Sequence, residues 1–252
     1  MAVPTPERSG LGLDTSAEEL RDRLETMSSM GIDQASVMPS HKYLRPNGLA
    51  DTALVNDAIA AYRDRDPARF PCAIGVLEPR DGPYALPEIE RIHALGLKGV
   101  TFHCRFQGVP LDHPWIARYV ARMTELELLP FVHVVHETPD ESLWKLCQLA
   151  AAFPSATFFA MDAFGAFDGA RHCFYAAATH PNIVFDTALA FQWSVVEQFV
   201  ERFGAGRVVF GSDIYSYHRL PTVLGEIQSS GLSPTEKAEI IGGNARRILG
   251  LP

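Results

Sequence analysis

Short, almost uninterrupted apolar runs alternate with longer stretches in which apolar and polar residues repeat at helical spacing. The short runs are Ile32–Met38, Phe70–Leu77, Leu97–His103, Leu129–Val135, Ala156–Asp162, Ile183–Asp186 and Arg207–Asp213. Runs of this kind suit strands buried on both faces, as in a parallel sheet flanked by helices. The intervening pattern predicts helices over Ala17–Met30, Asp51–Arg65, Leu86–Leu95, Pro114–Leu126, Asp140–Phe153, Gly169–Thr179 and Ser194–Phe203. Two closing helices follow, Pro221–Ser230 and Pro234–Leu249. Ser16 with Glu19, and Ser233 with Glu236, have capping-box spacing, and Gly31 and Gly96 stand where left-handed helix ends belong. Residues 1–14, rich in Pro and Gly, read as loop.

Strand and helix in regular alternation mean an α/β fold with a parallel sheet, either open and doubly wound or closed into a barrel. The Gly-x-Gly-x-x-Gly turn of a dinucleotide-binding sheet is absent. Polar residues recur at strand ends along the chain: His103, His133, Asp162, Asp186 and Asp213. One shared barrel mouth explains that distribution better than a single crevice. No linker divides the chain, so the expectation is a single TIM-barrel-like domain over 1–252.

A formal net charge of -8, with no basic run, argues against nucleic-acid or anionic-membrane partners. No apolar run approaches the ~20 residues of a membrane-spanning helix, and the opening residues lack the blocks of a signal peptide. Cys72, Cys104, Cys147 and Cys173 are widely spaced and read as reduced, mostly buried thiols of a cytoplasmic protein.

The strand ends carry the candidate chemistry. Val208-Val209-Phe210-Gly211-Ser212-Asp213 delivers a carboxylate at the end of a buried strand. His133 shares a face with Phe131 and is assigned to the interior, whereas His136 falls on the following loop. Taken alone, these two histidines also fit one core and one surface imidazole. Asp162 ends another apolar strand; a buried acid there must be paired, hydrogen-bonded or metal-bound, or it simply caps the next helix or holds a loop. For Asp186 a structural role is favoured. Arg105, beside His103, suits a substrate carboxylate or a salt bridge at the rim. Tyr215, Tyr217 and His218 are assigned to the pocket rim, and Phe106, Phe164, Phe167, Phe191 and Trp193 to an apolar lining or to loop packing. Imidazoles and carboxylates converging on one mouth suit a divalent metal that acidifies water while an Asp moves protons. No Gly-x-Ser-x-Gly elbow is present.

With these residues in view, the chain resembles the amidohydrolase-related family of the metal-dependent hydrolase superfamily. The resemblance runs through Ser16–Met38, Gly96–His103, Leu129–His133, Arg207–Asp213 and the tail Gly243–Leu251. It implies a distorted TIM barrel and an enzyme among hydrolases, non-oxidative decarboxylases and hydratases. The family's metal site implies a His-x-His on strand one, His on strands five and six, and Asp on strand eight. His133, less securely His136, matches the fifth-strand position and Asp213 the eighth. Asp162 replaces the sixth-strand His, and the first-strand pair is missing.

Two accounts follow: the chain begins after that strand, or this branch has lost the metal and kept the barrel. In either case residues 1–14 or a neighbouring subunit are expected to cover the gap, making a homo-oligomer one expectation. The resulting reading is an amidohydrolase-like hydrolase of a small organic acid, ester, lactone or amide. Asp213, His133 and Asp162 would be catalytic, and would be the ligands of any Zn or Mn. His103, Arg105, His136, Tyr215, Tyr217 and His218 would bind substrate. The alternatives are a metal-free lyase or decarboxylase of the same fold, and a non-catalytic ligand-binding or partner-subunit barrel.

Overall fold

Parallel pairing organises the molecule, a computed structural model that describes residues 14–39, 45–135, 138–212 and 220–251. Strands β1 (Ser36–Val37) and β2 (Cys72–Ala73) pair in parallel. After Ile74, whose N–H donates to Val37 O at 2.9 Å, the chain continues into β3 (Gly75–Val76). The parallel ladder then runs in order through β4 (Gly99–Phe102), β5 (Leu129–His133), β6 (Phe158–Met161), β7 (Ile183–Asp186) and β8 (Val208–Val209). Every strand that sequence predicts is present, and all carboxyl ends lie on one rim.

The helices form the outer layer: α1 (Ala17–Ser29), α2 (Leu49–Asp64), α3 (Leu86–Ala94), α4 (Cys104–Gln107), α5 (Pro114–Glu125), α6 (Leu143–Ala152), α7 (Phe167–Thr179), α8 (Trp193–Phe203) and α9 (Leu220–Ser229). The chain closes with α10 (Pro234–Ala238), a π-helical turn (Glu239–Gly243) and α11 (Asn244–Leu249). Two apolar cores result. One, including Val37, Val100, Val132, Phe158, Phe185 and Phe199, fills the space between strands and helices. The other, of Met38, Cys72, Ile74, Phe131, Phe159, Val184, Val209 and Leu249, packs the concave side of the sheet. The alternation of strand side chains separates the two sets.

Gly99 sets the closeness of two strands. A Cβ there would stand 2.1 Å from Leu129 O and 2.8 Å from Phe131 Cε2. At the seam between β1 and β8 a cavity of about 190 Å³ is lined by Ile32, Ala35 and Ser36 on one side and Phe210, Ala245 and Leu249 on the other. Arg246 Nη2 donates to Gln34 Oε1 across it at 3.0 Å. Residues 1–13, expected to cover this gap, lie outside the described residues.

Several boundaries differ from the sequence reading, for identifiable reasons. The first strand starts late because Ile32 N–H turns back to Met27 O at 2.8 Å, finishing the helix at Gly31, whose φ is +67°. The last ladder ends at Val209 because Phe210 N–H donates to Ile240 O instead. The helix expected over Pro234–Leu249 is divided by the π turn at Gly242 and Gly243, where Asn244 Nδ2 reaches Ala205 O and Val208 O. The Ser233–Glu236 capping box forms in full. At Ser16 only half does, since Glu19 is taken by the fully buried Arg23, 2.6 Å away. A buried guanidinium without that counter-charge would be costly. No described helix is long and apolar enough to cross a membrane, and all four cysteines are buried free thiols.

Candidate active site

Two histidines meet at the rim. His103 follows β4 and His133 ends β5, the ladder pairing Phe102 with Val132 just before them. Their rings stack with centroids 4.1 Å apart and planes 10° from parallel. Both are buried, and each is anchored through Nδ1 to its own carboxylate. His133 Nδ1 lies 2.9 Å from Asp162 Oδ2, and His103 Nδ1 lies 2.8 Å from Glu141 Oε2. A carboxylate at Nδ1 holds the proton on that nitrogen, so Nε2 is the atom that takes or gives one. Two imidazolium charges 4 Å apart would repel by about 4 kcal/mol at an effective dielectric of 20.

Asp162 is itself held in place. Its φ is +64°, a left-handed conformation rare for a residue with a side chain. The strained turn is fastened by Asp162 N–H donating to Asp186 Oδ1 at 2.8 Å and by Gly165 N–H donating to Asp162 O at 2.8 Å. The described geometry thus puts Asp162 on His133 rather than at a helix cap: α7 starts after Ala166 with no side-chain cap. Asp186, for which a structural role was expected, accepts the Asp162 and Ala188 N–H groups through Oδ1. A Cβ at Gly211 would come within 2.5 Å of Asp186 Oδ2, so the glycine before Ser212 lets β8 approach that acid.

Glu141 was not singled out by sequence reasoning. It sat in the expected helix Asp140–Phe153, whereas here it ends a 3₁₀ turn, Pro139–Glu141, with the helix starting at Leu143. It is completely buried, accepts Arg105 N–H at 3.2 Å and pairs with Arg105 Nε at 3.2 Å. Arg105 in turn lies over the Phe106 ring, 4.8 Å from its centroid. The only sequence signal was an acid soon after strand five opposite a cation soon after strand four, 36 residues apart.

Burial pushes the Glu141 carboxyl up to about 7, with the Arg105 backbone hydrogen bond and charge opposing the rise. Its ordinary value is 4.5, so the folded protein holds this proton more tightly than the unfolded chain. The stabilisation is complete below pH 4.5 and is lost as pH rises through about 7. The melting temperature should therefore fall between pH 5 and 8, and the fall should be several degrees smaller in Glu141→Gln. Differential scanning calorimetry across that range checks this; equal slopes would contradict it.

Of the residues expected in the site, His133, Asp162, His103 and Arg105 are brought together. Asp213, His136, Tyr215, Tyr217 and His218 lie outside the described residues. Phe164 takes the packing alternative. It is buried in the outer core, 5.3 Å from Phe199 and 5.9 Å from Phe185 between ring centroids. Trp193 is buried too, while Phe106 and Phe191 are exposed; the side chain of Phe167 lies outside the described set.

Residues 20–251 match the Amidohydro_2 family, described as Amidohydrolase. The chain belongs to that family. No curated protein matches it. Among solved structures, this amidohydrolase-family chain is similar to 5-carboxyvanillate decarboxylase from Sphingomonas paucimobilis (18% identity, TM-score 0.77, covering 98% of this chain and 87% of that one). It is similar to 5-carboxyvanillate decarboxylase from Novosphingobium aromaticivorans, complexed with manganese and 4-hydroxy-3-methoxy-5-nitrobenzoic acid (17%, TM-score 0.74, 98% and 85%). It is also similar to 4-oxalomesaconate hydratase from Rhodopseudomonas palustris (20%, TM-score 0.72, 94% and 84%). At these identities the likeness establishes the shared α/β barrel fold.

Proposed function

We propose that this amidohydrolase-family protein is a lyase, a decarboxylase of small aromatic carboxylic acids. The observation carrying the reading is the stacked His103–His133 pair, each ring backed by a buried carboxylate, beside the Arg105 guanidinium. The decarboxylases and the hydratase among the structural neighbours support lyase chemistry over the hydrolysis first expected from the residues.

In the proposed reaction Arg105 orients the substrate carboxylate. Nε2 of His133, in its imidazolium form, gives its proton to the ring carbon that bears the carboxylate. The carbon–carbon bond then breaks, its electron pair returns to the ring, and CO₂ leaves. Asp162 keeps His133 in the required tautomer and stabilises its charge. His103, tied to Glu141, supports the neighbouring ring. Solvent returns the proton to His133. Asp213 remains the proposed additional acid–base group, with His136, Tyr215, Tyr217 and His218 proposed around the substrate.

A manganese ion, as in the Novosphingobium neighbour, would polarise a substrate oxygen. Among the described residues no group of three His, Cys, Asp or Glu is arranged to hold a metal. His133 Nδ1 is engaged with Asp162 Oδ2, which leaves Nε2 as the ring nitrogen that could take a metal; Asp213, the third member of the expected set, lies outside the described residues. The proton steps above run on the chain's own side chains.

Incubation with a panel of hydroxybenzoates, with and without added Mn²⁺, tests the proposal. The expected result is stoichiometric CO₂ and the decarboxylated phenol. Turnover of esters, lactones or amides with no CO₂ release from any acid would reverse it in favour of hydrolysis.

A further inference from the structure

The short turn after β4 carries an apolar ring to the rim. Phe106 lies on α4 and is 51% exposed, outside both apolar cores. The turn beneath it is fixed. Phe106 N–H and Gln107 N–H both donate to His103 O at 3.0 Å, and Gly108, with φ +71°, ends the turn. The buried Gln107 amide ties it down: Oε1 accepts His103 N–H at 2.9 Å, and Nε2 donates to Leu77 O at 2.6 Å. A single exposed apolar ring would by itself mean nothing. This one touches two side chains of the site.

The Phe106 and His103 rings meet with centroids 4.4 Å apart and planes at 76°. The same ring lies under the Arg105 guanidinium, 4.8 Å from its centroid. Consecutive residues on a helix point about 100° apart, so Arg105 folds back to reach its neighbour. Glu141 does not fix that guanidinium in orientation. Arg105 Nε lies 3.2 Å from Glu141 Oε1, yet neither atom makes a hydrogen bond among the described residues. An ion pair of that kind holds the charge nearby and leaves its plane loose. An aromatic face attracts a guanidinium and favours a flat stack. The ring therefore sets the plane of a fork whose N–H groups suit a bidentate acceptor.

We propose that Phe106 is the positioning residue for Arg105, holding the guanidinium beside the histidine pair with its N–H fork presented to the substrate carboxylate. The assignment rests on the part given to Arg105 above. Phe106 acts through that cation and not by touching substrate. Its loss should weaken carboxylate binding and leave proton transfer at His133 as it is.

The test uses the full-length wild type, Phe106→Leu, Phe106→Tyr, Arg105→Gln and the double variant Phe106→Leu with Arg105→Gln. Calorimetry gives dissociation constants for benzoate, a carboxylate probe that need not react, and steady-state kinetics gives kcat on the acid that releases CO₂. Phe106→Leu should weaken benzoate by about two- to thirtyfold, the worth of one cation–π contact. Its kcat should stay within about twofold of wild type, because only ground-state binding is lost. Phe106→Tyr, which keeps an aromatic face, should bind benzoate like wild type. Without Arg105 the leucine should have no further effect. A leucine equally harmful without Arg105 would make Phe106 a wall against substrate, and a lower kcat at unchanged affinity would make it a support of His103. Either result overturns the assignment, as does a leucine that changes nothing or a tyrosine as weak as leucine. Wild type that binds no benzoate, or Arg105→Gln that binds it like wild type, overturns the part given to Arg105 and this assignment with it. If benzoate responds as expected but no acid releases CO₂, the decarboxylase reading falls and the positioning of Arg105 stands.

Discussion

Replacing His133 with Asn should lower kcat by about 10²–10⁴-fold, the usual worth of a positioned proton-transfer group. The substitution is informative because Asn still presents an amide N–H toward Asp162, which lies 2.9 Å from His133 Nδ1 in the wild type. What it removes is Nε2, the nitrogen assigned to the ring carbon. The fold should survive, with a melting temperature within a few degrees of wild type. His103 left alone should not restore the rate, because Glu141 holds its Nδ1 and fixes its ring in a different place. Steady-state kinetics on the acid found by CO₂ release measures the effect. A loss below about tenfold would mean that His133 is a packed ring and not the proton donor.

Gly99→Ala should produce the largest loss of stability of any single methyl added to this protein's sheet. The new Cβ would meet the backbone carbonyl of Leu129 at 2.1 Å and the Phe131 ring at 2.8 Å, at the first pair of the β4–β5 ladder. Gly99 is paired with Leu129, so β4 and β5 would have to part where the two histidines are later aligned. Overpacking usually costs about 1–3 kcal/mol and sometimes more; here the upper end is expected, about 3 kcal/mol, or roughly 6–12 °C in Tm. Gly225→Ala is the control. Gly225 lies within α9 with nothing within 4 Å of its Cβ direction, so alanine should raise stability by about 0.5–1 kcal/mol. Thermal melts of the two variants should move in opposite directions. If Gly99→Ala melts with the wild type, the register at the start of β4 is wrong.

The barrel was legible because its physics is local. Apolar runs such as Leu129–His133 and Phe158–Met161 are buried on both sides, and a run of that composition has few other stable arrangements. The side of the sheet was legible for the same reason: His133 shares the parity of Phe131, and Phe131 packs on Phe159 in the concave core. Boundaries were less legible, since they depend on where a single N–H goes. Phe210 leaves its ladder for Ile240, 30 residues away, and no local pattern announces that.

The site was legible in its members and not in its pairings. His103, His133 and Asp162 stand at or just past strand ends, Arg105 follows in the next short helix, and all four could be named from spacing. Their partners could not. Glu141 resembles any acid at a helix start until the fold brings it to His103. Asp162 was read as a candidate metal ligand or cap because its left-handed turn, which aims it at His133, is not encoded by a glycine. Phe164 was open between pocket and packing; the turn that positions Asp162 sends it into the outer core.

The central claim is that Asp162 acts only through His133, so that the two work as one proton-transfer unit. A double-mutant cycle on decarboxylation tests it most directly, with kcat/KM for wild type, Asp162→Asn, His133→Asn and the double variant. The account predicts that the double variant is no slower than His133→Asn alone, because the aspartate has nothing left to orient. Losses that multiply across the two positions would contradict it and assign Asp162 a part of its own.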